Sequence, residues 1–208
     1  MLQKIVTNMR VLDASLRSTY GDGIGRYFKF VYISFLRINT YEVLCVETAG
    51  YDAPAGDADL QSWDLPRLRA YREGKNLPRE FYMDLAKDLQ RPWVILQGSE
   101  VVYITWEMEE RSSRFLTHGQ GDVELSYSLT MPAHRRKGLH RRAFAQLIPR
   151  LRQRGCKRVF AVVHNENVNS LASLRAIGMQ TRAKIVGVGR LIRKLNTARV
   201  QDGVSGCN

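Results

Sequence analysis

The chain has 208 residues, room for one good-sized domain burying roughly 70% of its unfolded surface and too little for two catalytic ones. Hydrophobic residues at 44% and charged residues at 25% exclude a disordered, collagen-like or low-complexity chain. The formal net charge is +12, and residues 131–200 hold 17 basic side chains against the single acid Glu166. That third calls for a polyanion: a phosphorylated cofactor, an acidic carrier protein or nucleic acid.

From the start, Ile5, Met9, Leu12 and Leu16 fall at helical spacing over residues 2–16, and after the turn YGDGIG a second helix is predicted over IGRYFKFVYISFLRI, 24–38. The second is rich in aromatics and carries Arg26, Lys29 and Arg37. Two readings fit it, packing on the following domain, the commoner use of such a helix, or peripheral contact with a membrane surface. YEVLCVE (41–47) reads as a first strand, before an acidic loop, YDAPAGDADLQSWD. LPRLRAYREG and PREFYMDLAKDL are short helix candidates, and PWVILQGSEVVYITWEME (92–109) reads as two strands joined by QGSE.

In DVELSYSLTM (122–131), Val123, Leu125, Tyr127 and Leu129 alternate with Glu124, Ser126, Ser128 and Thr130, so a two-faced strand is predicted with Tyr127 on the core side. A helix follows over 139–155, bent at Pro149, which removes a backbone bond. VFAVV (159–163) suits a strand covered on both sides. NVNSLASLRAIG reads as a helix stopped by Gly178, and AKIVGVGRLI supplies a last strand. The order predicts an α/β fold: a mixed sheet with a strand–helix–strand crossover at its centre, flanked by helices. The expected organisation is a helical extension over 1–40, one domain over 41–197 and a weakly ordered tail over 198–208.

Cys45, Cys156 and Cys207 are odd in number and widely spaced, which argues against a disulfide framework or a zinc site, and no metal is expected. A reducing cytoplasm is the expected home, since the first residues lack the apolar core of a signal peptide and no stretch reaches membrane-span length.

The chemistry concentrates in MPAHRRKGLHRRAF (131–144), where Pro132 ends the strand and Gly138 lies at the mouth of a helix. Free N–H groups at a helix start, with the positive end of the dipole behind them, bind a diphosphate, and Arg135, Arg136, Lys137, Arg141 and Arg142 add charge there. Standing alone, the segment would read as a solvated basic helix start. It sits, however, in a longer pattern. RRKGLH (135–140) follows a strand and opens a helix, and Asn167, Ser170 and GM at 178–179 follow at matching spacing. From Asp122 to Met179 the chain thereby resembles the GCN5-related N-acetyltransferase (GNAT) family, whose signatures are Q/R-x-x-G-x-G/A and an Asn-x-x-Ser/Ala helix start. His140 stands where the family has Gly or Ala.

The resemblance implies a mostly antiparallel sheet with one parallel crossover, and transfer of an acetyl or other acyl group from acyl-coenzyme A to an amine by direct attack within a ternary complex. Pantetheine would lie between the strands at 123–131 and 158–164, meeting backbone at Leu129, Thr130 and Met131. Residues Arg135, Arg136, Lys137, Gly138, Leu139 and His140 would hold the diphosphate, and Asn167 and Ser170 would reach in from the next helix. Glu124 is the implied general base; as an ordinary strand residue it would pair with a neighbouring cation instead. The family's tyrosine acid is replaced by Leu174, leaving His164 as a substitute or as a structural histidine. Trp106, Glu107, Glu109 and Glu110 suit a cationic acceptor pocket, or are solvated strand-end charges.

YGDGIG reads as a helix-separating turn rather than a phosphate loop, for no strand is predicted before it and no Walker lysine follows. An acyl carrier protein as donor, or a fold that senses acyl-coenzyme A without turnover, are the alternatives. Nucleic acid is disfavoured, because no binding motif accompanies the charge. Acceptor identity and oligomeric state are left open.

Overall fold

A computed structural model describes residues 23–32, 36–52, 59–108, 113, 116 and 118–188. The first predicted helix (2–16), the tail, Cys207, Glu109 and Glu110 lie outside the described residues. The chain divides into two compact units, residues 1–40 with 186–196 and residues 41–185 with 197–208. In the first, helix α1 (Gly25–Val31) lies within the predicted 24–38 stretch, and Ile24, Phe28 and Val31 are exposed.

The second unit is built on a seven-stranded sheet: β1 (Ile38–Glu47), β2 (Leu60–Ser62), β3 (Arg91–Gln97), β4 (Glu100–Met108), β5 (Asp122–Thr130), β6 (Arg158–His164) and β7 (Gln180–Val188), in the order β2-β3-β4-β5-β6-β1-β7. Pairing is antiparallel at the other characterised edges and parallel only between β5 and β6, which the crossover helix α4 (Leu139–Gln153) joins. This is the α/β architecture the element order predicts. β2 was not legible; three residues inside an acidic loop carry no periodic signal.

Both faces of the sheet are covered, and period-2 alternation sorts the side chains. Along β1, Leu44 and Val46 join the cluster formed with α4, whereas Val43 and Cys45 join Phe160 and Ile185. Helix α4 buries Ala143, Phe144, Leu147, Ile148 and Leu151, an apolar stripe at helical spacing that runs through Pro149. Each fully buried Leu or Phe contributes about 1.5–3 kcal/mol. The opposite face is covered by α2 (Leu65–Arg72), a 3₁₀ turn at Arg79–Tyr82 and α3 (Met83–Lys87), through Leu68, Phe81 and Met83 against Ile104 and Trp106. Asp64 starts α2 by accepting from Arg67 N at 2.8 Å. No helix among the described residues is long and apolar enough to cross a membrane.

The alternation predicted along β5 breaks in its middle. Ile104 pairs with Leu129 but Trp106 pairs with Ser126, so Thr105 opposes both Tyr127 and Ser128, and Tyr127 has φ 51°. This bulge adds one residue and exchanges the faces beyond it. Val123 and Leu125 pack with α4, while Tyr127, Leu129 and Met131 pack on the α2 side. Ser128 thereby turns to the α4 face, where its hydroxyl meets Thr105 Oγ1 at 2.7 Å.

Candidate functional site

The parallel pair β5–β6 is short. Asp122, Val123 and Glu124 pair with Arg158, Val159 and Phe160, and beyond Glu124 the pairing stops. The bulge at Tyr127 carries the rest of β5 along β4, and a cleft opens between the strands on the side where α4 and α5 (Val168–Arg175) begin.

The cleft has a larger compartment of about 700 Å³, lined among others by Leu129, Thr130, Arg135, Arg136, Gly138 and Leu139. A smaller one of about 240 Å³ is lined by Glu80, Tyr127, Phe144, His164 and Leu174. Ser128, His140, Asn167 and Ser170 line both. The larger volume is ordinary for a small-ligand site.

The mouth is shaped by two left-handed residues, Arg136 (φ 63°) and Gly138 (φ 70°). Gly138 caps α4 without any side-chain hydrogen bond, so the first N–H groups of this fifteen-residue helix keep their donors. A Cβ at Gly138 would meet no atom within 4 Å, so the requirement there is conformational, and the backbone is open to a close-approaching group. These features fit a diphosphate: uncapped donors, a helix dipole and two arginines at one opening. Arg135 spends one N–H on Thr130 O at 3.3 Å. Arg142 donates to Lys137 O at 3.1 Å.

Asn167 is the cap of α5. Its Oδ1 accepts from Ser170 N at 3.3 Å, which fixes the side chain and leaves the amide NH₂ to donate. His140 lies between the compartments, with Nδ1 at 3.1 Å from Tyr103 Oη and Nε2 at 3.4 Å from Ser170 Oγ. Burial pushes its pKa down to about 4, so the imidazole is neutral at physiological pH. Tyr103 is fully buried, and burial raises its pKa, so its hydroxyl keeps the proton.

Of the residues singled out in the sequence, Leu129, Thr130, Arg135, Arg136, Gly138, Leu139, His140, Asn167 and Ser170 line the cleft. Met131 and Lys137 do not. Met131 N already donates to Val102 O at 2.9 Å, and its side chain packs on the α2 side. His164 lines the small compartment, and its Nδ1 accepts from Glu166 N at 3.2 Å.

Glu124 lies outside both compartments. It is 2% exposed on the paired half of β5, where Ser113 Oγ donates to it at 2.6 Å and His118 Nε2 stands 3.4 Å away. Glu107 is likewise committed, to Arg154 through two contacts of 2.6 and 2.9 Å and to Trp93 Nε1 at 2.6 Å, and is no solvated strand-end charge. Sequence reasoning missed Ser128 and Glu80. The bulge hid the first, and nothing in the spacing of PREFYMDL marks the second.

Residues 58–179 match the model of the acetyltransferase (GNAT) family. Among solved structures, the chain is similar to a GNAT-family acetyltransferase from Colwellia psychrerythraea (11% identity, TM-score 0.53, covering 77% of this chain and 59% of that one). It is also similar to a GCN5-related N-acetyltransferase-like protein from Streptococcus suis (18%, TM-score 0.51, 78% and 65%) and to a GCN5-related N-acetyltransferase from Sphaerobacter thermophilus (12%, TM-score 0.50, 78% and 55%). The chain spans between about half and two thirds of the length of these structures. At these identities the likeness is one of fold. No curated protein matches the sequence.

Proposed function

The chain belongs to the GNAT acetyltransferase family, and from that premise we propose that it moves an acetyl or other acyl group from acyl-coenzyme A to an amine by direct attack in a ternary complex. The observation that carries the reading is the uncapped start of α4 facing the cleft where β5 and β6 part. Arg135, Arg136 and the N–H groups after Gly138 hold the diphosphate. Asn167, fixed by its capping bond, donates its free amide N–H to a pantetheine carbonyl, and the β5 backbone at Leu129 and Thr130 runs beside that arm.

The carbonyl then lies at the junction of the compartments, over Ser128, His140 and Ser170. Attack forms the C–N bond and breaks the C–S bond; the thiolate leaves with the electron pair, and the one proton lost by the attacking neutral amine goes to water. Donors preorganised at the developing oxyanion are what the site offers to the transition state. His164, which lines the small compartment, is the candidate to protonate the thiolate where Leu174 cannot. The apolar floor of Leu125, Phe144, Ala161 and Leu174 suits the acyl group.

The test is calorimetry with coenzyme A, followed by thiol release from acetyl-coenzyme A with a panel of amines. Saturable heat and amine-dependent thiol release are expected. Saturable heat without turnover on any amine would favour a sensor, and no heat with any coenzyme A derivative would end the reading.

A further inference from the structure

We propose that Glu80 receives the acceptor, and that the acceptor is an amine that arrives as a cation. The inference rests on the acyltransferase reading above and adds to it a residue and a substrate class.

Of the buried and half-buried carboxylates among the described residues, all but Glu80 are engaged by the protein. Glu42 holds Arg175 and Thr181, Asp84 holds Arg72, Glu107 holds Arg154, Asp122 holds Arg158 and Glu124 accepts from Ser113. Glu80 is half-buried, and no donor of the described residues reaches its carboxylate. Its oxygens reach solvent and keep their full acceptor capacity for a ligand's donor.

Its position is fixed. The Glu80 carbonyl accepts from Trp106 Nε1 at 2.8 Å, and Trp106 is fully buried, so the 3₁₀ turn that carries Glu80 is anchored to the sheet beneath it. The same residue lines the small compartment together with Ser128, His140 and His164, the groups that border the reacting carbonyl. An ammonium held there passes one proton to water, and the neutral amine so formed has its nitrogen in the compartment where attack must occur. Arg79 also lines the compartment, but it is exposed, and water screens its charge.

Two acceptors separate this role from a structural one. An alkylamine is protonated at neutral pH and an arylamine is not, yet both are nucleophiles. Initial rates with saturating acetyl-coenzyme A are measured for the wild type, Glu80→Gln and Glu80→Asp, with the melting temperature of each. Glu80→Gln should raise the KM for the alkylamine by about 10- to 100-fold, the worth of a hydrogen-bonded charge, and shift that for the arylamine by no more than about twofold. The KM for acetyl-coenzyme A should not move, and Glu80→Asp should recover part of the alkylamine loss. An equal fall with both amines, or no change with either, would overturn the proposal. So would a wild type that binds coenzyme A by calorimetry yet acylates neither amine, although the cofactor site would then survive. Absence of coenzyme A binding would remove the acyltransferase reading as well.

Discussion

The two halves of β5 do opposite things with the same kind of residue. In the first, Asp122–Glu124 pair with β6, Glu124 pairs with β4 as well, and both carboxylates are answered: Asp122 by Arg158 at 2.8 Å, Glu124 by Ser113 at 2.6 Å. In the second, beyond the Tyr127 bulge, the strand keeps β4 and gives up β6, and the polar groups that face the cleft include uncapped helix donors and the unengaged carboxylate of Glu80. The difference teaches that polar residues around one strand are structural where their partners come from the chain, and available for chemistry where they do not. One extra residue in one strand separates the two halves.

The comparison breaks most easily at the open half. Gly138→Asp puts a carboxylate where the diphosphate would sit. Asp tolerates a left-handed φ better than most residues, and a Cβ there meets nothing within 4 Å, so the fold should hold. Coenzyme A affinity is expected to fall on the order of 100-fold, more at low salt, with the melting temperature shifted by only a few degrees. Titration calorimetry at two ionic strengths checks it. A variant that binds coenzyme A as well as the wild type would show that the α4 start is not the grip.

His140 sharpens the comparison, because it belongs to the open half yet is buried enough to have its pKa pushed down to about 4 from 6.5. The unfolded chain takes up a proton below about pH 6.5 and the folded protein does not until about pH 4, so protonation favours unfolding between those values. The stability that neutral His140 permits is fully present above pH 6.5 and is lost as pH falls toward 4. Between pH 7.5 and pH 5 the expected loss is about 1–2 kcal/mol, and denaturant melts of His140→Ala should lack that part of the slope. A slope unchanged in the variant would mean that another group titrates.

Much of this molecule could be read before its structure. The alternating and continuous apolar runs located six of the seven strands, because long periodic segments are decided by burial, and the RRKGLH loop located the cleft mouth, because a left-handed glycine before a helix is a local feature. What could not be read depends on contacts distant in sequence. The exchange of Ser128 and Leu129 between faces needs the register against β4, where Thr105 meets two residues. The engagement of Glu107 needs Arg154, 47 residues away. Glu80 looks like any surface glutamate until Trp106 pins its carbonyl beside the cleft.

Glu124 is the case in which resemblance and surroundings point to different roles, and the smallest effect decides it. The family resemblance implies a base at this position, but its carboxylate faces Ser113 and His118 on the closed half and lines neither compartment. Glu124→Gln keeps the shape and an acceptor oxygen while removing the charge, so the Ser113 bond becomes neutral and stability should fall by about 1 kcal/mol. If the closed half is structural, kcat of the folded protein stays near the wild-type value at every pH while the melting temperature drops. If the carboxylate instead draws the amine's proton through Ser113 or His118, kcat falls by more than about tenfold and the lower limb of its pH profile disappears, with the melting temperature hardly moved. The two outcomes separate on whether the loss appears in the rate or in the melt, because a charge that serves only its neighbours leaves no trace in the chemistry of a substrate it never meets.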